Sequence, residues 1–133
     1  MSISTADRLA IHELLSLHGH LSDAGAFDRF HEVFTDDIAY DLTAYGAGIV
    51  TGGDILRDMA LQLGDNNPLG HHVTNIVLTP TTSDAVEALS KGLAVDVDGT
   101  TGTVTYADTV IRTTEGWRIS RRSVIPRHKP ITP

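Results

Sequence analysis

The hydrophobic period of this chain changes in mid-sequence, and that change limits the possible folds more than any other feature. From Ser4 to Leu21, Ile11, Leu14, Leu15, His18 and Leu21 recur at spacings of three and four, which predicts an amphipathic helix. Ser4 with Asp7 three residues later predicts a capping box, the carboxylate also favoured at the positive helix end. Asp23-Ala24-Gly25 breaks this helix, and Phe27, Phe30, Val33 and Phe34 predict a second, short one. Asp36-Asp37 reads as a turn into a strand, Ile38 to Leu42, in which Ile38, Tyr40 and Leu42 share a face. A glycine-rich stretch from Gly46 to Gly53 follows, and Asp54 to Leu63 is the third predicted helix. After the breaker cluster Gly64 to Pro68, the period becomes two. His71–Thr79, Ala85–Val97, Thr101–Thr113 and Trp117–Pro126 read as strands, with Asp98-Gly99 and Glu115-Gly116 as hairpin turns. Three helices followed by an antiparallel meander is an α+β order, and a curved sheet covered by those helices would enclose a cavity.

With 133 residues, 41% hydrophobic and 20% charged, the chain is sized for a single domain, 1–133, that buries a core without staples. No cysteine is present, which removes disulfides and thiolate metal sites. The formal net charge is −7, and basic residues gather only at Arg118, Arg121, Arg122, Arg127 and Lys129, read as a solvated strand end. A nucleic-acid partner is therefore not expected. The polar start lacks a basic-then-apolar leader pattern, and no apolar run is long enough to span a bilayer. The expectation is a cytoplasmic protein with no membrane partner. No nucleophile elbow, dinucleotide turn or phosphate loop occurs, and no spacing gathers three metal ligands.

The informative residues are polar groups on faces that the pattern would bury. His18 lies on the apolar stripe of the first helix, either as a satisfied core histidine or as a pocket group. Asp23 ends that helix, where a carboxylate opposes the helix dipole, unless it is an ordinary turn former. His71 shares a strand face with Val73 and Asn75, and His72 the opposite face with Thr74 and Ile76, so one of the two points inward. Tyr106, Asp108 and Arg112 alternate with Val104 and Val110 on either a pocket wall or a solvated face. Arg112, Arg121 and Arg122 are placed at an outer edge. A histidine beside a carboxylate would form a base near neutral pH.

Together, Leu21-Ser22-Asp23-Ala24-Gly25-Ala26-Phe27-Asp28, Phe34-Thr35-Asp36-Asp37, His71-His72-Val73-Thr74-Asn75, Tyr106-Ala107-Asp108 and Gly116-Trp117-Arg118-Ile119 resemble the SnoaL-like branch of the nuclear-transport-factor-2-like superfamily. The resemblance runs from about Thr5 to about Ile125. It implies a cone-shaped curved antiparallel sheet with three helices in the N-terminal half, enclosing a pocket, in homodimers or homotrimers. It also implies a lyase or isomerase, of the dehydratase or cyclase type, in which a His–Asp dyad abstracts a proton in an apolar pocket. Within the scytalone dehydratase and dehydrochlorinase branch, the aspartate of the dyad matches Asp23 and the histidine matches His71 better than His72. His18, Tyr40, Leu42, His72, Tyr106 and Asp108 are then expected to contact a small apolar or polycyclic substrate, with no metal or cofactor. His18, Tyr106 or Asp108 would donate to developing oxygen charge. Steroid isomerases of the superfamily carry a general-base aspartate where Leu42 stands here, and oxyanion donors where His18 and Asp108 stand. The alternatives are a non-catalytic small-molecule-binding or assembly module of the same fold, or a structural partner that dimerises through its sheet.

Overall fold

The computed structural model describes residues 2–131. Helix α1 (Thr5–Asp23) starts at the expected capping box: the Ser4 hydroxyl accepts from the Asp7 N–H at 3.0 Å, and the Asp7 carboxylate accepts from the Ser4 N–H at 3.2 Å. Phe27–Glu32 forms a 3-10 helix where a short α-helix was expected. Its three-residue turn stacks Phe27 and Phe30 on one side, ring centroids 5.6 Å apart, while Phe34 already belongs to strand β1. β1 spans Phe34–Leu42, so Asp36-Asp37 is no turn. Both lie exposed where the register against the neighbouring strand slips. Part of the glycine-rich stretch forms β2 (Gly48–Thr51), followed by α2 (Gly53–Leu63).

The second half is β3 (Gly70–Thr82), β4 (Ala85–Val95), β5 (Thr101–Thr113) and β6 (Gly116–Pro126). The fold is α+β, with one curved, unclosed sheet of six strands in the order β2-β1-β6-β5-β4-β3. One pair departs from the antiparallel expectation: β1 runs parallel to β6, because the meander that starts at β3 returns its last strand alongside β1 in the same direction. The helices cover the inner face, and Ile11, Leu15, Val33, Ile38, Val86, Val110 and Ile119 are completely buried there.

Two bulges decide which side chains enter the core. In β3, Thr74 pairs with Lys91 but Val77 with Leu89, so one extra residue is accommodated, and Asn75 takes a positive φ of 57°. The inward set is therefore His71 and Val73 before the bulge, and Ile76 and Leu78 after it. Asn75 is exposed, which corrects the alternation read from the sequence. In β6, Val110 pairs with Ile119 and Thr109 with Arg121, leaving Ser120 as the extra residue. Trp117 and Ile119 face inward, and beyond the bulge Arg122 and Val124 do so.

The start of α1 is tied to the far end of the sheet. Asp7 accepts two hydrogen bonds from Arg112, at 3.1 and 3.1 Å, and one from the Trp117 indole at 3.1 Å. Arg112, chiefly, and then Trp117 hold the Asp7 carboxyl well below the usual carboxylate range. Arg112 stays at the exposed end of β5, as the sequence reading had it, stacked 4.5 Å from the Trp117 ring. Among the described residues, no helix is long and apolar enough to cross a membrane.

Candidate active site

Asp23 ends α1, where its charge opposes the helix dipole and needs outside donors. His71 supplies them. Its backbone N–H lies 3.1 Å from each Asp23 carboxylate oxygen, and its Nδ1 lies 2.7 Å from Oδ1. A carboxylate only accepts, so Nδ1 carries a proton, and in the neutral imidazole it is Nε2 that presents the lone pair. The pair sits at a rim: the His71 side chain is 21% exposed and that of Asp23 31%, so Asp23 is less enclosed than a burial reading requires.

Gly19 makes this meeting possible. A Cβ at that position would stand 2.7 Å from the His71 carbonyl oxygen, a backbone atom that cannot swing aside. Gly19→Ala adds a better helix former by about 1 kcal/mol, yet it should push α1 off β3 and separate the dyad. Any activity that depends on the Asp23–His71 contact should fall about 100-fold, in line with an ångström of misplacement. Steady-state kinetics beside a thermal melt would check this.

His71 opens onto a cavity of about 180 Å³ between α1, the 3-10 helix, β1 and α2. Phe27, Phe30, Phe34, Leu56, Met59 and Leu63 make its apolar wall, and His18, Ser22, Tyr40, Asn67 and Tyr106 are the other polar side chains on it. Leu42 lines it as well, on the same face of β1 as Tyr40. A second recess of about 160 Å³ lies on the other side of His71 and Tyr106, walled by Tyr45, Leu93, Val104 and Val124. A larger groove of about 560 Å³, bordered by Asp28, Asp36, Asp54 and Arg57, contains neither member of the dyad.

Tyr106 owes its position to Gly92 on the adjacent strand, where a Cβ would fall 2.5 Å from the tyrosine Cε2. Burial pushes the Tyr106 hydroxyl up to about 12, with the neighbouring Tyr40 adding to the effect, so it remains a neutral hydrogen-bonding group.

Behind the cavity wall, Arg122 is completely buried and clamps Asp108 through two hydrogen bonds, Nε to Oδ1 at 2.7 Å and Nη2 to Oδ2 at 2.8 Å. Its third contact is Nη1 to His18 Nδ1 at 3.1 Å, and its Cζ lies 4.1 Å from the Tyr106 ring centre. Burial pulls the guanidinium toward losing its proton, but the adjacent Asp108 charge more than offsets this, and the cation is held firmly. Burial first, then the Arg122 charge and His71, drive His18 well below its ordinary value of 6.5. His18 therefore stays neutral when folded but takes up a proton below about pH 6.5 when unfolded. Stability should fall as pH drops through that point, by about 1.4 kcal/mol per unit for one proton. The pH slope of the urea midpoint, compared with that of His18→Phe, isolates the contribution.

Three placements correct the sequence reading. Arg122 is not at an outer edge, because the Ser120 bulge turns it inward. Asp108 is buried but held by Arg122, and it does not line the cavity. His72 is exposed on the outer face, since alternation in β3 allows only His71 to point in. Gly19 and Gly92 carry a sequence signal of their own, since a glycine in mid-helix or mid-strand marks close approach. Among the described residues, no three histidine, aspartate or glutamate side chains gather as metal ligands.

The model of the SnoaL-like domain matches residues 4–123. The chain belongs to the SnoaL-like family. Solved structures similar to this SnoaL-like protein include a proposed aromatic ring hydroxylase from Novosphingobium aromaticivorans, at 28% identity and TM-score 0.77, covering 95% of this chain and 92% of that one. LinA is similar at 22% identity and TM-score 0.77, covering 92% of this chain and 87% of that one. A proposed scytalone dehydratase from Novosphingobium aromaticivorans is similar at 20% identity and TM-score 0.76, covering 94% and 89% of the two chains. No curated protein matches the SnoaL-like chain.

Proposed function

We propose that this protein is a small-molecule lyase or isomerase in which His71 takes a proton from a carbon of the substrate. The observation that carries this reading is the Asp23–His71 contact of 2.7 Å on Nδ1, which leaves Nε2 as a base beside an apolar cavity. Asp23 fixes the tautomer and stabilises the imidazolium that forms. The carbon's electron pair then either receives the proton at a neighbouring carbon, which is isomerisation, or forms a double bond as a leaving group departs, which is elimination. A main cavity of about 180 Å³ sits below the usual range of ligand pockets, so the reacting part of the substrate is compact. The recess of about 160 Å³ across His71 and Tyr106 can take a second, apolar part.

The test is deuterium wash-in. The protein is incubated in deuterated water with a panel of small, mainly apolar carbon acids, and label is followed by mass spectrometry. Enzyme-dependent exchange or product formation for at least one compound is the expected result. Ligand binding without exchange across the panel would overturn the reading in favour of a non-catalytic binding module.

A further inference from the structure

Beside the cavity that holds His71 lies a groove of about 260 Å³ between the end of α1 and the end of α2, and the two spaces share Ser22, Phe27, Ala60 and Asn67 as walls. Asn67 stands at their junction. We infer that Asn67 is a specificity-determining residue: a fixed hydrogen-bond acceptor that selects ligands carrying a hydroxyl on the part that projects from the cavity into the groove. This inference rests on the reading that the cavity beside His71 is where the substrate reacts.

A primary amide has two N–H donors on its nitrogen and two lone pairs on its oxygen. The Asn67 Nδ2 donates to the Ala60 carbonyl at 2.9 Å and to the Gly64 carbonyl at 2.8 Å, so both of its hydrogens are spent on the last turn of α2 and the turn that follows. The opposite orientation would set the amide oxygen against two carbonyl oxygens and is excluded. Oδ1 therefore points away from those carbonyls. Among the described residues no donor reaches it, and it is not sealed from ligand.

The backbone holds the amide as firmly as its side-chain bonds do. The Asn67 N–H donates to the same Gly64 carbonyl at 3.1 Å, and Pro68 keeps Asn67 extended, at φ −64° and ψ 148°. Its acceptor is thus in place before any ligand arrives.

The other polar groups around this junction are adaptable or already engaged. The hydroxyls of Ser22, Tyr40 and Tyr106 can each donate or accept, so none of them alone discriminates between a ligand donor and a ligand acceptor. Asp23, the carboxylate on the groove, takes up the backbone N–H and Nδ1 of His71. Asn67 is different. A ligand that covers Oδ1 with apolar surface, ether or halogen takes water from an acceptor and returns nothing, which is costly. A hydroxyl there donates to Oδ1, and its own oxygen can accept from Ser22 across the junction. A site built in this way rejects the analogue that lacks the hydroxyl more strongly than it rejects a change of apolar shape.

Asn67 also ties down the end of α2, so the test has to separate acceptor from tether. Binding of 2-naphthol and of 2-fluoronaphthalene, in which no donor remains, is measured by calorimetry on the wild type, Asn67→Ala and Asn67→Asp. The Ala variant loses both the acceptor and the tether, whereas the Asp variant keeps an acceptor but has no N–H for Ala60 and Gly64. A thermal melt should show both variants destabilised. The ratio of the two affinities should fall about tenfold toward 2-fluoronaphthalene in Asn67→Ala, the effect of leaving one acceptor unpaired. In Asn67→Asp the ratio should stay at or above that of the wild type. An unchanged ratio in Asn67→Ala, an equal fall in both variants, or no measurable binding of 2-naphthol to the wild type overturns the inference. None of these measurements involves proton transfer, so failure here is distinguishable from a failed deuterium wash-in.

Discussion

Replacing His71 with glutamine should lower the rate of deuterium wash-in by about 100- to 10,000-fold, the range that a positioned general base contributes. The amide of glutamine can still donate toward Asp23, but it has no proton affinity near neutral pH. The His71 backbone N–H, with its two contacts of 3.1 Å to Asp23, is untouched by the substitution. Because the side chain is 21% exposed at the rim, stability should change by less than about 1 kcal/mol. Wash-in kinetics and a urea melt on the same preparation separate the two effects. A variant that exchanges as fast as the wild type would place the base elsewhere.

The largest effect on folding should come from Arg122→Met. Its side chain is fully buried, as is that of its partner Asp108, so removing the guanidinium strands a carboxylate inside the protein. Breaking a buried pair from one side costs about 3–5 kcal/mol, a large part of the stability of a domain this size. The urea midpoint should fall accordingly. The double variant Arg122→Met with Asp108→Leu should recover much of the loss, since two apolar side chains can replace a buried pair at little net cost. A single variant as stable as the wild type would mean that Asp108 takes up a proton readily, and that the clamp contributes little.

How much of this was legible beforehand follows from the physics of each signal. The helical stripe of Ile11, Leu14, Leu15, His18 and Leu21 and the capping box rest on local spacing and local hydrogen bonds, and both appear in α1. Alternation from Val104 to Val110 likewise puts Tyr106 and Asp108 on the inner face. What was hidden depends on insertions that alternation cannot see. Trp117 and Ile119 imply that Arg121 points in, and only the pairing of β6 with β5 shows that Ser120 is an extra residue that brings Arg122 in. The bulge at Asn75 hid the inward turn of Ile76 and Leu78 in the same way. The meeting of Asp23 and His71 across 48 residues is tertiary, so no spacing rule reaches it, and it was placed beforehand by family resemblance.

The parallel pairing of β1 with β6 also bears on how the chain reaches this state. Asp41 on β1 and Arg121 on β6 are joined by an ion pair across 80 residues of sequence, and Tyr40 lies opposite Arg122. During synthesis the first strand must wait, unpaired on that edge, until β6 has left the ribosome. Contacts so distant along the chain close late and slowly. Refolding should therefore show an early species that holds the β3–β6 meander with its Asp108–Arg122 pair, which is local to the last hairpin, while β1 and the cavity join in the final step.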